Sequence, residues 1–149
     1  MPVTGSCQCG AVRYTLEGEP LMTYACHCYN CQKRTGSAFS LGAMYPVAAI
    51  DTTGDLASWA RISDDGLTNT RYSCASCGNV IYGIGEATAD LIKLQPGTLD
   101  DTSTVMPDAH IWTRSAQAWV RLPEGALAWE TQPDNLFDVY AAVLERRGQ

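Results

Sequence analysis

Apolar and polar residues alternate along much of the first half of the chain. In segment 11–17, Val12, Tyr14 and Leu16 share one face and Arg13, Thr15 and Glu17 lie on the other, the period-two signature of a half-buried strand. Gly18-Glu19-Pro20 predicts a turn, with 21–26 as the returning strand and Met22 and Tyr24 on a common face. Phe39, Leu41, Ala43 and Tyr45 alternate until Pro46 ends the run. Segments 67–73 and 79–84 predict a hairpin, and 90–95 and 118–122 predict further short strands. Helical patterning is sparse. Residues 32–35 predict a single turn closed by Gly36, and Leu136, Val139, Tyr140, Val143 and Leu144 fall on one helical face. Asp134 after Pro133 is the expected N-cap of that last helix, about 134–147, and Arg146-Arg147 suits the negative end of its dipole. The pattern predicts a mainly β fold of short antiparallel strands with a C-terminal helix.

At 149 residues the chain is expected to form one domain, 1–149. A composition of 46% hydrophobic and 17% charged residues is that of a folded chain. The net charge of −6 and pI near 4.7 argue against nucleic-acid or anionic-membrane surfaces, which need clustered Lys and Arg. No run of 18 apolar residues is present to span a bilayer. The opening Met1-Pro2-Val3-Thr4-Gly5 has neither the basic nor the apolar region of a secretory signal, so a cytoplasmic protein is expected.

Seven cysteines change this picture. All lie in three clusters: Cys7-Gln8-Cys9, Cys26-His27-Cys28-Tyr29-Asn30-Cys31 and Cys74-Ala75-Ser76-Cys77. The odd number leaves a thiol over after any disulfide pairing, and a reducing compartment disfavours disulfides. Zinc takes four ligands in a tetrahedron and favours thiolates. Cys26, Cys28 and Cys31 lie close enough in sequence to converge on one ion, whereas Cys7 with Cys9 and Cys74 with Cys77 form distant pairs able to clamp two hairpins. Four plus three suggests a closed structural site and an open site with a free position. Other partitions stay open: His27 or His110 completes the second site, or only one zinc is bound. A lone C-x-x-C is also a redox motif, but here its context is strand–turn–strand rather than the start of a helix.

The segment Gly5-Ser6-Cys7-Gln8-Cys9-Gly10-Ala11-Val12-Arg13-Tyr14 resembles the opening motif of the glutathione-dependent formaldehyde-activating enzyme (GFA) family, which includes the centromere protein V group. The Cys26–Cys31 run resembles its second motif, Arg71-Tyr72-Ser73-Cys74-Ala75-Ser76-Cys77-Gly78 its third, and His110-Ile111-Trp112 more weakly a fourth, so the resemblance covers about 5–119. It implies an Mss4-like β-tent pinned by zinc. It further implies two Zn²⁺ ions, with Cys7, Cys9, Cys74 and Cys77 as structural ligands and Cys26, Cys28 and Cys31 as ligands of a catalytic zinc. The family activity is formation of S-(hydroxymethyl)glutathione from formaldehyde and glutathione, a carbon–sulfur lyase reaction.

Several residues carry two readings. His27 relays a proton or supports a sulfur, or is structural; His110 lines the open site or is a core histidine. Lys33, Arg34 and Arg114 meet the carboxylates of glutathione or are solvated charge. Trp59, Trp112, Trp119 and Trp129 read as core or rim packing. Three functions compete: a zinc-dependent enzyme that makes or cleaves a thiol–aldehyde adduct, a zinc-stabilised binding module without catalysis, and a metal–thiolate enzyme acting on a different electrophile. The acidic chain counts against a chromatin role.

Overall fold

The computed structural model describes residues 1–149. Eleven strands are present: β1 (Val3–Ser6), β2 (Arg13–Leu16), β3 (Met22–Cys26), β4 (Ser40–Pro46), β5 (Ile50–Thr53), β6 (Leu56–Ile62), β7 (Thr68–Cys74), β8 (Val80–Gly85), β9 (Leu91–Leu94), β10 (Ala109–Ile111) and β11 (Leu127–Ala128). Helix α1 (Tyr29–Thr35) follows β3, and α2 (Leu136–Arg147) ends the chain. The fold is therefore mainly β with a C-terminal helix. None of its helices is long and apolar enough to cross a membrane.

Backbone contacts gather into two compact units, one of Met1–Pro20 with Ala43–Val105 and the other of Leu21–Gly42 with Met106–Gln149. In the first, β2 lies antiparallel between β1 and β5, with Tyr14 opposite Gly5 and Thr52. A second antiparallel ladder runs from the Ala43–Pro46 half of β4 through β9, β8 and β7 to β6 at the edge. The alternation read in the sequence is the inward face: Val12, just before β2, and Tyr14 and Leu16 from β2 pack with Ala43, Tyr45, Ile81, Ile92 and Leu94. Burial of this set, rather than backbone propensity, holds the unit together.

In the second unit β10 lies parallel to both β3 and β11, with Ile111 opposite Cys26 and Ala109 opposite Leu127. Asp108 anchors this register. Its carboxylate accepts from the Thr23 N–H at 2.7 Å and pairs with Arg147 of α2 at 2.6 Å. Helix α2 buries Val139 and Val143 and ends on Gly148 in the left-handed conformation.

Four expectations are corrected. Gly18-Glu19-Pro20 does not join a hairpin: β2 pairs with β1 and β5, while β3 pairs with β10. Alternation names a strand's inward face, not its neighbour. Segment 118–122 is not a strand, since the Val120 N–H is used in a turn to the Gln117 carbonyl and Pro123 has no N–H. The cap of α2 is Asn135, whose Oδ1 accepts from the Phe137 N–H at 3.0 Å, and not Asp134. Of the tryptophans, Trp112 and Trp129 are half-buried, but Trp59 and Trp119 are about two-thirds exposed at 65% and 67%.

Leu94 is wholly buried where β9 meets the core. Leu94→Ala is expected to cost roughly 2–5 kcal/mol. Urea unfolding of both proteins under metal-replete conditions measures it.

Candidate metal centres

The first centre is built by two turns of the same design. In the β1–β2 connection the Cys7 N–H bonds to the Val12 carbonyl, the Gly10 N–H bonds back to the Cys7 carbonyl, and Gly10 takes φ +78°. In the β7–β8 connection the Cys74 N–H bonds to the Asn79 carbonyl, the Gly78 N–H bonds to the Cys74 carbonyl, and Gly78 takes φ +75°. Both turns need a left-handed residue, which glycine supplies without Cβ strain. The Asn79 side-chain carbonyl joins them by accepting from the Gln8 N–H at 3.0 Å.

These turns bring the sulfurs of Cys7, Cys9, Cys74 and Cys77 within 4.8 Å of one another, with Cys7 and Cys74 buried and Cys9 and Cys77 exposed. Sulfur separations of 3.5 Å for Cys7–Cys9 and 3.7 Å for Cys9–Cys74 are too long for a disulfide. They are near the roughly 3.8 Å edge of a tetrahedron with Zn–S bonds of about 2.3 Å. Backbone N–H groups point at the buried sulfurs, Val12 to Cys7 at 3.2 Å, Ser76 to Cys74 at 3.4 Å and Cys77 to Cys74 at 3.5 Å. The Val12 N–H holds the Cys7 thiol down at about 6 against its burial. The N–H groups of Asn79 and Cys9 lower Cys77. The Ala11 N–H pulls Cys9 down, but the Cys7 and Cys77 thiols outweigh it and push Cys9 up to about 12. Ionised together, sulfurs crowded this closely would repel one another, and a cation at their centre would relieve the conflict. The donor set, its spacing and its N–H support fit a zinc ion.

The second centre is local. Cys26 ends β3, Cys28 caps α1, and Cys31 lies in its first turn. The Cys28 sulfur accepts from the Cys31 N–H at 3.4 Å, so the helix cap itself orients one ligand. The three sulfurs lie within 4.8 Å of one another. The Cys26 and Cys28 thiols, with the buried Ser40 hydroxyl and the Arg34 charge, lower the Cys31 thiol against its burial. The Cys28 and Cys31 thiols raise Cys26. Three thiols at this spacing could hold a metal ion.

Neither histidine completes this group. The three-sulfur cluster forms without a ring nitrogen of His27 or His110. The rings bond to each other instead, His27 Nε2 to His110 Nδ1 at 3.1 Å, and are both buried. Burial lowers both imidazoles, and each is further shifted by charge, His27 upward by Cys31 and His110 downward by His27. His27 Nδ1 and His110 Nε2 have no hydrogen-bond partner. Gln32 was not singled out from the sequence, yet it is the hub here. Its Nε2 donates to the carbonyls of His27 and Ser115, both at 2.9 Å, and its Oε1 accepts from Gln117 at 3.2 Å. Only its place directly after Cys31 hinted at this.

The sequence model described as "Glutathione-dependent formaldehyde-activating enzyme" matches residues 2–115. The chain belongs to this GFA family. Curated relatives each named "Putative glutathione-dependent formaldehyde-activating enzyme" include one from Emericella nidulans, 37% identical over 52% of this chain and 40% of its own length. Another, from Sordaria macrospora, is 29% identical over 56% and 37%, and one from Penicillium rubens is 34% identical over 52% and 41%. The chain thus spans about two fifths of the length of the relatives it matches. A crystal structure of a Rhodobacter sphaeroides protein superposes with TM-score 0.53 at 19% identity, over 70% of this chain and 91% of that one. That likeness shows the fold. Within the GFA family assignment, both cysteine clusters have the donors and spacing to hold metal ions.

Metal analysis of the GFA-family chain is expected to give two zinc ions per molecule. Cys77→Ser should lose one and unfold or severely destabilise the chain, because a structural zinc contributes on the order of 10 kcal/mol, as much as the whole stability of many domains. A cooperative melt within a few degrees of the parent would count against a structural ion there.

Proposed function

We propose that this chain is a zinc-dependent carbon–sulfur lyase that joins glutathione, or a thiol like it, to formaldehyde in the cytoplasm. The observation that carries the reading is the pair of unequal clusters in a GFA-family chain, one with four sulfurs and one with three. On this reading Cys7, Cys9, Cys74 and Cys77 hold a closed structural zinc, and Cys26, Cys28 and Cys31 hold the catalytic zinc with one position left for the thiol. Zinc bound by the triad supplies a positive charge that keeps a thiol ionised near neutral pH.

The reaction forms one bond between the thiol sulfur and the carbonyl carbon. The carbonyl π electrons move to oxygen, which gains the proton the thiol gave up, and nothing is oxidised or reduced. The chain's own part is to hold and orient. The α1 cap fixes Cys28 against the Cys31 N–H, Ser40 and Arg34 favour negative charge at Cys31, and Gln32 ties this turn to the Ser115 backbone. The buried His27–His110 pair braces the backbone beside it, since the His27 N–H also bonds to the Ile111 carbonyl at 3.0 Å.

A second reading has one observation in its favour. Trp59 and Ile62 of the edge strand β6 are exposed at 65% and 71%, which suits a zinc-stabilised binding module. Exchange NMR of hemithioacetal formation from formaldehyde and glutathione separates the two. The parent chain should exceed the uncatalysed rate. Cys28→Ser should keep the fold, lose one zinc and fall to that rate. A parent chain no faster than background rejects the enzyme reading.

Metal release gives an independent check. The three-sulfur cluster lacks one thiolate bond, so chelator titration should remove its ion first, with the circular-dichroism spectrum unchanged. A single step coinciding with unfolding contradicts two separable centres.

A further inference from the structure

The acidic residues of this chain are not spread evenly. Of its 16 Asp and Glu, none lies in Leu21–Gly42 or in 109–123, whereas these two stretches carry Lys33, Arg34, Arg114 and Arg121. Both stretches belong to the unit that holds Cys26, Cys28 and Cys31. In a chain of net charge −6, the charged side chains of these two stretches are therefore all basic. Side chains of that sign favour an anionic ligand.

Among them Arg114 is set up differently from an ordinary surface cation. Its guanidinium lies over the Trp112 ring, 5.2 Å from the centroid. The indole is itself held, donating from Nε1 to Gln132 Oε1 at 3.1 Å. Trp112 is the one non-glycine residue with positive φ, at 59°. A bulky residue in that region is strained and persists only where its surroundings impose it. The Arg114 side chain makes no ion pair, and Glu130, whose backbone carbonyl accepts from the Arg114 N–H, offers no carboxylate within bridging distance. A guanidinium stacked on an aromatic ring keeps its N–H edge free for a carboxylate, which it can grip with two parallel bonds. Its position relative to the cysteines is tied by one hydrogen bond. Ser115, the next residue, accepts through its carbonyl from Gln32, which directly follows Cys31, at 2.9 Å.

We infer that Arg114, seated on Trp112, is the anchor for a carboxylate of the thiol substrate, so that the site selects small thiols bearing a carboxylate. This rests on the reading that the triad receives a thiol, and it adds the residue that chooses which one. Arg114 is a specificity residue. It touches the end of the substrate remote from the sulfur and takes no part in the bond change.

The experiment uses the zinc-loaded chain and S-methylglutathione, which keeps the carboxylates of glutathione but has no thiol to ionise. Calorimetric titration is expected to show binding to the parent chain, weakened about tenfold or more by Arg114→Ala, as for loss of a charge-assisted hydrogen bond. Arg114→Lys should recover part of the loss. Zinc stoichiometry and melting temperature should be unchanged in both variants. In the exchange assay, Arg114→Ala should raise KM for glutathione, leave kcat near the parent value and leave the rate with 2-mercaptoethanol unaltered. Equal binding of S-methylglutathione by the parent and Arg114→Ala, or none by the parent, overturns the inference. Background turnover with Arg114-dependent binding of S-methylglutathione would instead reject the lyase reading and keep the anchor. A normal rate with no difference between the variants would do the reverse.

Discussion

Crowding of cysteine sulfur is the constraint on which much of this structure depends. Four thiols from two connections 65 residues apart meet within 4.8 Å, and backbone N–H groups at 3.2–3.5 Å are aimed at the two buried ones. With all four ionised, like charges at that spacing would be costly, and a metal ion would make them cohesive. Its consequences reach into the sheet. Cys7 and Cys74 are part of the same buried cluster as Leu16, Ile81 and Leu94, so the sulfur centre and the apolar core support each other directly.

The three-sulfur cluster obeys different physics. Its ligands come from one segment, six residues long, so it needs no distant chain to form. What the surroundings supply is orientation and charge. The α1 cap holds Cys28, Ser40 and Arg34 favour an anion at Cys31, and Gln32 fixes the turn against Ser115. A centre assembled this way can lose or exchange a ligand without dismantling a sheet. Acidic side chains are absent from the stretch 21–42 that holds the triad and from 109–123.

Most of the strands and the last helix were legible in the sequence because their signals are local. The face of β2, the β7–β8 hairpin, β9 and the buried stripe of α2 follow from side-chain period alone, and Gly36 closes α1 as its position suggests; β4 was found as a strand, but Ser40, Gly42 and Met44 are buried along with Ala43 and Tyr45, so its alternation names no single inward face. Strands β1, β5, β6 and β10 escaped because they are short or lack clean alternation; in β6 five of seven residues are exposed, so no inward face was there to be read. The mistaken strand at 118–122 has the opposite cause, an apolar pair whose backbone is already committed to a turn.

The cysteine clusters themselves and a suggested grouping as four and three were written in residue type and spacing, since C-x-C and C-x-x-C turns bring sulfurs together whatever surrounds them, whereas the joining of the two distant pairs into one cluster of four is seen in the fold. Tertiary structure alone decided the rest. Alternation does not name a partner, so only the fold places β10 parallel to β3 and brings residues 83 positions apart into contact. That placement pairs His27 with His110 instead of offering either as a ligand and makes Gln32 a tie to Ser115, the residue after Arg114. Both are long-range contacts, one between side chains and one between a side chain and backbone, and they arise from packing that no local pattern encodes.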